Sequence, residues 1–178
     1  IAGRPLIEVL LIYGNQTRGF PDLTKMAPNV YQWLSDDWYD IVVPIGILVT
    51  LTILFQFVRS AYRSRVVLDR EQMLQLALTG ALLMPYFLPK MHDRYFFLAD
   101  ILSILFAFYF PRYLWVAIVV EICSLLSYAP MLLGDTVVSL KVLSIVLGAA
   151  IWFMVRLHIK TFYPKSNSGP SQETLIVK

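Results

Sequence analysis

Charged residues are scarce in this chain. Asp, Glu, Lys and Arg make up 15% of its 178 residues, against roughly a quarter in a soluble domain. Cysteine is almost missing. The single Cys123 lies in an apolar run, which excludes an intrachain disulfide and a thiolate metal cluster. It reads as a small packing residue. Histidine occurs only at His92 and His158. HExxH is absent, no His-based metal site of familiar spacing exists, and no metal or other cofactor is identified. There is no GxGxxG, no Walker loop, no GxSxG elbow and no internal repeat. The net charge is +3, but no basic run interleaved with aromatics lies in a water-exposed segment, so no nucleic-acid partner is expected. The chain starts at Ile1 without a signal-peptide pattern. The expectation is that it is the C-terminal part of a longer protein.

What is plentiful is apolar surface. Hydrophobic residues make up 58% of the chain and its mean hydropathy is +0.65. A membrane-spanning helix needs about 20 predominantly apolar residues. Candidate spans lie at 41–58, 73–88, 95–110, 113–128 and 136–155. The third and fourth are short, and Pro111-Arg112 leaves no room for a loop between them, which favours a tight helical hairpin. The expected fold is all-α: a polytopic membrane helix bundle of about five transmembrane helices. Residues 6–13 are apolar but too short to span, and read as an interfacial or re-entrant helix. Gly14, Gly19 and Pro21 then mark a loop. Tyr31, Trp33, Trp38 and Tyr39 read as an aromatic belt before the first span.

Basic residues orient the bundle. Arg59, Arg63, Arg65 and Arg70 follow the first span, and Arg156, Lys160 and Lys165 follow the fifth. Five spans put both groups on one side, taken as cytoplasmic. The chain then divides into an extracytoplasmic segment at 1–39, a transmembrane domain at 40–158 and a cytoplasmic tail at 159–178, polar and disordered after Pro164. The expected location is the plasma or inner membrane.

The main polar constellation is Lys90-Met91-His92-Asp93-Arg94-Tyr95, between two apolar helices on the outer side. Asp93 is a candidate cap for the following helix. Lys90, His92 and Arg94 near a helix N-terminus suit an anion, since backbone N–H groups, the helix dipole and a bidentate guanidinium all favour negative charge. The bland alternative is a loop of snorkelling charges. Asp100 lies seven residues after Asp93, on the same helix face and roughly 8–10 Å deeper. It reads either as a partner of Arg94 or Lys90 or as a cavity-lining group. Glu121 and Lys141 are candidates for a pair across the bundle. His158, between Arg156 and Lys160, reads as part of a solvated basic helix end.

The string LPKMHDRYFFLADILS at 88–103 resembles a signature of bacterial membrane mannosyltransferase-like proteins. These are similar to the enzyme that adds the second mannose to GPI anchors, within the GT-C glycosyltransferase superfamily. The usual form has MHERY, and Asp93 stands where that form has Glu. Upstream, Gly3-Arg4-Pro5, Tyr13, Gln16 and Leu23-Thr24 lead to APNVYQWL at 27–34, which resembles a family stretch ending in NAPNLYQWL. Met26 stands where that stretch has Asn. The two matches reach from residue 3 to residue 103.

The resemblance implies an extracytoplasmic active site. It implies a polyprenyl-phosphate sugar donor and an acceptor glycan, lipid or protein that is not specified. Lys90, His92, Asp93, Arg94, Tyr95 and Asp100 are the implied lipid-phosphate or substrate residues, and Asn29, Tyr31, Gln32 and Trp33 the motif loop. The family's acidic base is usually in a first outer loop that this chain lacks, so the catalytic residue is unknown and the chain alone is expected to be inactive. Beside membrane lipid, a transporter or flippase segment lined by Asp100, Glu121 and Lys141, or a non-catalytic membrane subunit, are the competing readings.

Overall fold

The computed structural model describes residues 22–64, 66 and 68–163. The expected interfacial helix, the resemblance at Gly3-Arg4-Pro5, Tyr13 and Gln16, the loop glycines, Arg65 and the tail with Lys165 lie outside the described residues.

Among the described residues the chain forms five α-helices: α1 (Tyr39–Arg63), α2 (Arg70–Phe87), α3 (Phe97–Tyr109), α4 (Leu114–Leu133) and α5 (Leu140–Phe162). Each matches one apolar run, and the boundaries differ for local reasons. α2 starts at Arg70 rather than 73, because Asp69 and Gln72 form a reciprocal capping box. α4 runs through Pro130 to Leu133 and ends on Gly134, whose φ of 75° is the left-handed conformation that glycine adopts freely. α5 starts at Leu140 and continues past Arg156 and Lys160 to Phe162, which is buried. α3 stops at Tyr109, since the residue before Pro111 is pushed out of helical geometry.

Among the described residues, three helical segments are long and apolar enough to cross a membrane: Asp36–Arg63, Pro111–Leu133 and Leu140–Phe162. α2 opens on Arg70, Glu71 and Gln72. α3 has only 13 residues, about 20 Å at 1.5 Å per residue.

The all-α expectation omits one feature. β1 (Thr24–Lys25) and β2 (Met91–His92) pair in parallel, with Thr24 opposite Met91 and Lys25 opposite His92. A short 3-10 helix at Asp93–Phe96 then leads into α3.

α3 and α4 form the expected hairpin. Ser124 on α4 donates to Asp100 on α3, and Ser103 donates to Glu121 at the limit of hydrogen-bond length. Three residues on along α3 correspond to three back along α4, so the pair is antiparallel. α2 is central: Leu78, Thr79 and Leu82 are fully buried, and it packs on α1, α3 and α5. Lipid tails are as apolar as leucine, so helix association in a membrane relies on close packing and interhelical hydrogen bonds. The buried small residues fit that requirement: Ala99 and Ser103 on α3, Ala117, Ser124 and Ser127 on α4, Ser144 and Ala150 on α5. The outward faces are apolar. On α1 they include Ile45, Leu48, Leu51, Phe55 and Val58, all exposed.

Candidate functional site

The two motif segments, more than sixty residues apart in sequence, meet at one end of the bundle. The β1–β2 ladder is extended by Lys90 N–H donating to Leu23 O at 2.7 Å, and by Met26 bridging to His92. Leu23 N–H in turn donates to Asp36 Oδ1 at 2.7 Å. Met26 and Lys90, one beside each strand, have φ of 57° and 62°. Non-glycine residues adopt this left-handed conformation only at a cost of roughly 1–2 kcal/mol, and such strain concentrates at functional sites.

The ladder gathers positive charge. Burial, then Arg94, then Lys25 hold the His92 imidazole below its ordinary value, with Asp93 acting in the opposite sense. That disfavours the charged ring, and a neutral imidazole both donates and accepts. Lys90 donates to the Tyr39 hydroxyl and lies 4.8 Å from that ring's centroid. Arg94 is exposed, with its guanidinium 5.7 Å from the ring centroid of the exposed Tyr95. Asp93 is buried. It is the first residue of the 3-10 helix rather than its N-cap, which is His92, and its carboxylate accepts from Arg94 N–H at 2.8 Å. That bond fixes the backbone from which the Arg94 side chain projects. Lys25 and Arg94 thus surround His92 with positive charge, and Lys90 precedes the same strand with its ammonium on Tyr39. Chemically that charge suits an anion, and phosphate above all.

No family model matches the chain, and no curated protein or solved structure matches it either.

The APNVYQWL loop underpins this arrangement. Asn29 is fully buried and caps a 3-10 helix at Val30–Trp33 by accepting from Tyr31 N–H at 3.1 Å. Tyr31 donates to Phe87 O at 2.6 Å, at the end of α2. Burial raises the Tyr31 phenol pKa, which keeps it a donor. Gln32 donates to Ala27 O, and Trp33 Nε1 to Ser144 Oγ on α5 at 2.9 Å. Trp33 and Trp38 are exposed, as an aromatic belt requires, but Tyr31 is 6% exposed and belongs to the packing instead. Asn29 and Gln32 thus brace the loop internally, while Tyr31 and Trp33 clamp it onto α2 and α5.

Asp100 is not joined to Arg94 or Lys90. Its Oδ2 accepts from Ser124 at 2.8 Å, and its Oδ1 is buried with no hydrogen-bond partner. It shares electrostatic surroundings with Asp93 and Arg94, all three acting on Tyr128. The expected Glu121–Lys141 pair is not formed. Glu121 faces Ser103, and Lys141 lies 5.8 Å from the Trp33 ring centroid. His158 is not solvated. It is 3% exposed, lies between Phe57 and Phe162, and its Nε2 meets Ser60 Oγ at 2.5 Å. Among the described residues no group of three or more His, Cys, Asp or Glu side chains is gathered to hold a metal. Lys25 is the site residue that the sequence pattern does not single out, since a lone lysine in a loop carries no spacing signal.

Proposed function

We propose that this chain is the membrane part of a glycosyltransferase of the mannosyltransferase-like kind, moving a sugar from a polyprenyl-phosphate donor to an extracytoplasmic acceptor. The observation that carries the reading is the β1–β2 ladder. The two segments whose residues resemble the family pair directly with each other, and their junction collects Lys25, Lys90, His92 and Arg94. Sugar transfer from a lipid phosphate leaves a phosphate carrying developing negative charge. Preorganised cations at that point stabilise the transition state more than the ground state. Arg94 and Lys90 take that task, with Lys25 adding to the local field, and His92 supplies a neutral hydrogen-bonding group. The carboxylate base that activates the acceptor hydroxyl is not assigned to a residue of this chain.

In this reading α2 and α3 cross the membrane with the three longer helices. The ladder faces the extracytoplasmic side and the C-terminal end of α5 faces the cytoplasm. What supports the orientation is the grouping of charge. Arg59 and Arg63 close α1, and Arg70 opens α2. Arg112, Arg156 and Lys160 lie at the same end, because Ser60 meets His158 and Tyr163 there and Gln75 meets Thr161. Basic residues are enriched in cytoplasmic loops.

The test is sugar transfer from a polyprenyl-phosphate donor in membranes that hold the full-length protein. Arg94→Ala is expected to reduce transfer at least a hundredfold, in line with the loss of one transition-state donor. Unchanged transfer would sink the phosphate role. Labelling of single cysteines placed at 135 and 163 with a membrane-impermeant thiol reagent tests the orientation: position 135 reacts from outside and 163 does not.

A further inference from the structure

A cavity lies at the opposite end of the bundle from the ladder. α1 sets the separation: Tyr39 touches Lys90 at one end, and Ser60 touches His158 and Tyr163 at the other. Those 21 residues of helix cover about 30 Å. The cavity has a volume of about 380 Å³, and Gln75, Phe110, Arg112, Tyr113, Leu157, Lys160 and Thr161 line it. It sits where the start of α2, the turn of the α3–α4 hairpin and the end of α5 converge.

Its lining carries two cations and no acid. Arg112 is held by its neighbour, donating to the Tyr113 hydroxyl with its guanidinium 4.4 Å from the Tyr113 ring centroid. Gln75 is 3% exposed, and its Oε1 accepts from Thr161 Oγ1 at 3.3 Å. The other amide atom of Gln75, Nε2, is buried with no hydrogen-bond partner among the described residues. A buried donor left unmade is costly, by about 1–3 kcal/mol. That nitrogen is closed off from the cavity, and it is the arginine and the lysine in the wall that point to an anion. Phe110 and Leu157 make the rest of the wall apolar.

We propose that this cavity binds the phosphate of an anionic phospholipid, distinct from the site at the ladder. Arg112 and Lys160 neutralise the phosphodiester, the Tyr113 hydroxyl hydrogen-bonds the headgroup, and Phe110 and Leu157 receive the glycerol and upper acyl carbons. A lipid is favoured over free phosphate because the cations sit at helix ends beside apolar, outward faces. A headgroup reaches such a position while its chains stay in the bilayer. Basic pockets between membrane helices recognise lipid headgroups in this way. The assignment does not depend on the sugar-transfer reading.

Native mass spectrometry of the full-length protein released from nanodiscs tests it. The nanodiscs contain phosphatidylglycerol and phosphatidylcholine with the same acyl chains. Phosphatidylglycerol is expected to be retained in preference to phosphatidylcholine. Arg112→Gln and Lys160→Gln are each expected to weaken retention about fivefold, the equivalent of one cation near a charged lipid. Both cations are exposed, so these two variants keep the fold. A melting-temperature shift with phosphatidylglycerol, and none with inorganic phosphate, is the second expected result. Equal retention of the two lipids, or unchanged retention in the Arg112→Gln/Lys160→Gln double variant, overturns the site. A full shift with inorganic phosphate alone overturns the lipid assignment.

Discussion

Lys25 and His92 stand opposite each other in a parallel ladder only two residues long. Their proximity has a measurable electrostatic result. Burial, Arg94 and Lys25 all disfavour the charged imidazole, while Asp93 favours it. In NMR titrations the His92 midpoint should therefore lie below the ordinary value of about 6.5. Lys25→Gln and Arg94→Gln should each move it up, and Asp93→Asn should move it further down. The sign for stability follows. The unfolded chain binds this proton more tightly than the folded one, so the His92 contribution is intact above about 6.5 and is lost as pH falls through the lower folded value. A midpoint that does not respond to Lys25→Gln would separate the two residues.

Met26 holds a φ of 57°, a conformation that Asn tolerates far better than a long unbranched side chain. Met26→Asn should raise stability by about 1 kcal/mol, read as a higher melting temperature in detergent. A lower melting temperature would mean that the half-buried Met26 side chain contributes more by packing than its backbone costs.

Much of the helical layout was legible, because long apolar runs and the break at Pro111 carry strong local signals, whereas the Asp69–Gln72 box and the Gly134 end moved the boundaries of α2 and α4. The ladder was not. Two residues show no periodicity, and Thr24 and Met91 are paired across 67 positions by tertiary packing alone. His158 illustrates a different failure. Its neighbours Arg156 and Lys160 suggest solvent, yet Leu147, Ile151, Met154, His158 and Phe162 fall at helical spacing and are all buried. The stripe was present in the sequence, and the flanking charges outweighed it. The candidate residues Lys90, His92 and Arg94 stood out by their chemistry. Lys25 became one of them only through the fold, and Asp100 turned out to be occupied by Ser124.

Gly46 and Tyr31 are fitted to each other. A Cβ at position 46 would run into the Tyr31 hydroxyl and sit 3.0 Å from Tyr31 Cζ. Tyr31 cannot yield freely, because its hydroxyl donates to Phe87 O, which also accepts from Thr50. Gly46→Ala should therefore destabilise the protein by about 1–3 kcal/mol, as overpacking does. Tyr31→Phe should cost about 1 kcal/mol through the lost hydrogen bond. The double variant should be less destabilised than the two single losses added together, since removing the hydroxyl relieves the closer of the two contacts. Simple additivity in thermal unfolding would show that the loop is not clamped where Tyr31 crosses α1.

Asp100 and Arg94 lie near one another in the chain and divide the functional readings between them. Under the sugar-transfer proposal Arg94 meets the departing phosphate, while Asp100 holds the α3–α4 hairpin through Ser124. Asp100→Asn keeps the size of the side chain and an acceptor for that hydroxyl. Transfer should then fall no more than about threefold, whereas Arg94→Ala should lose at least about a hundredfold. A transporter makes the opposite demand, because an ionisable group within a membrane helix, with one carboxylate oxygen buried and unpartnered, is where a coupling proton would reside. Proton-dependent uptake abolished by Asp100→Asn, with sugar transfer insensitive to Arg94→Ala, would reverse the assignment and make the α3–α4 hairpin, rather than the ladder, the working part of the protein.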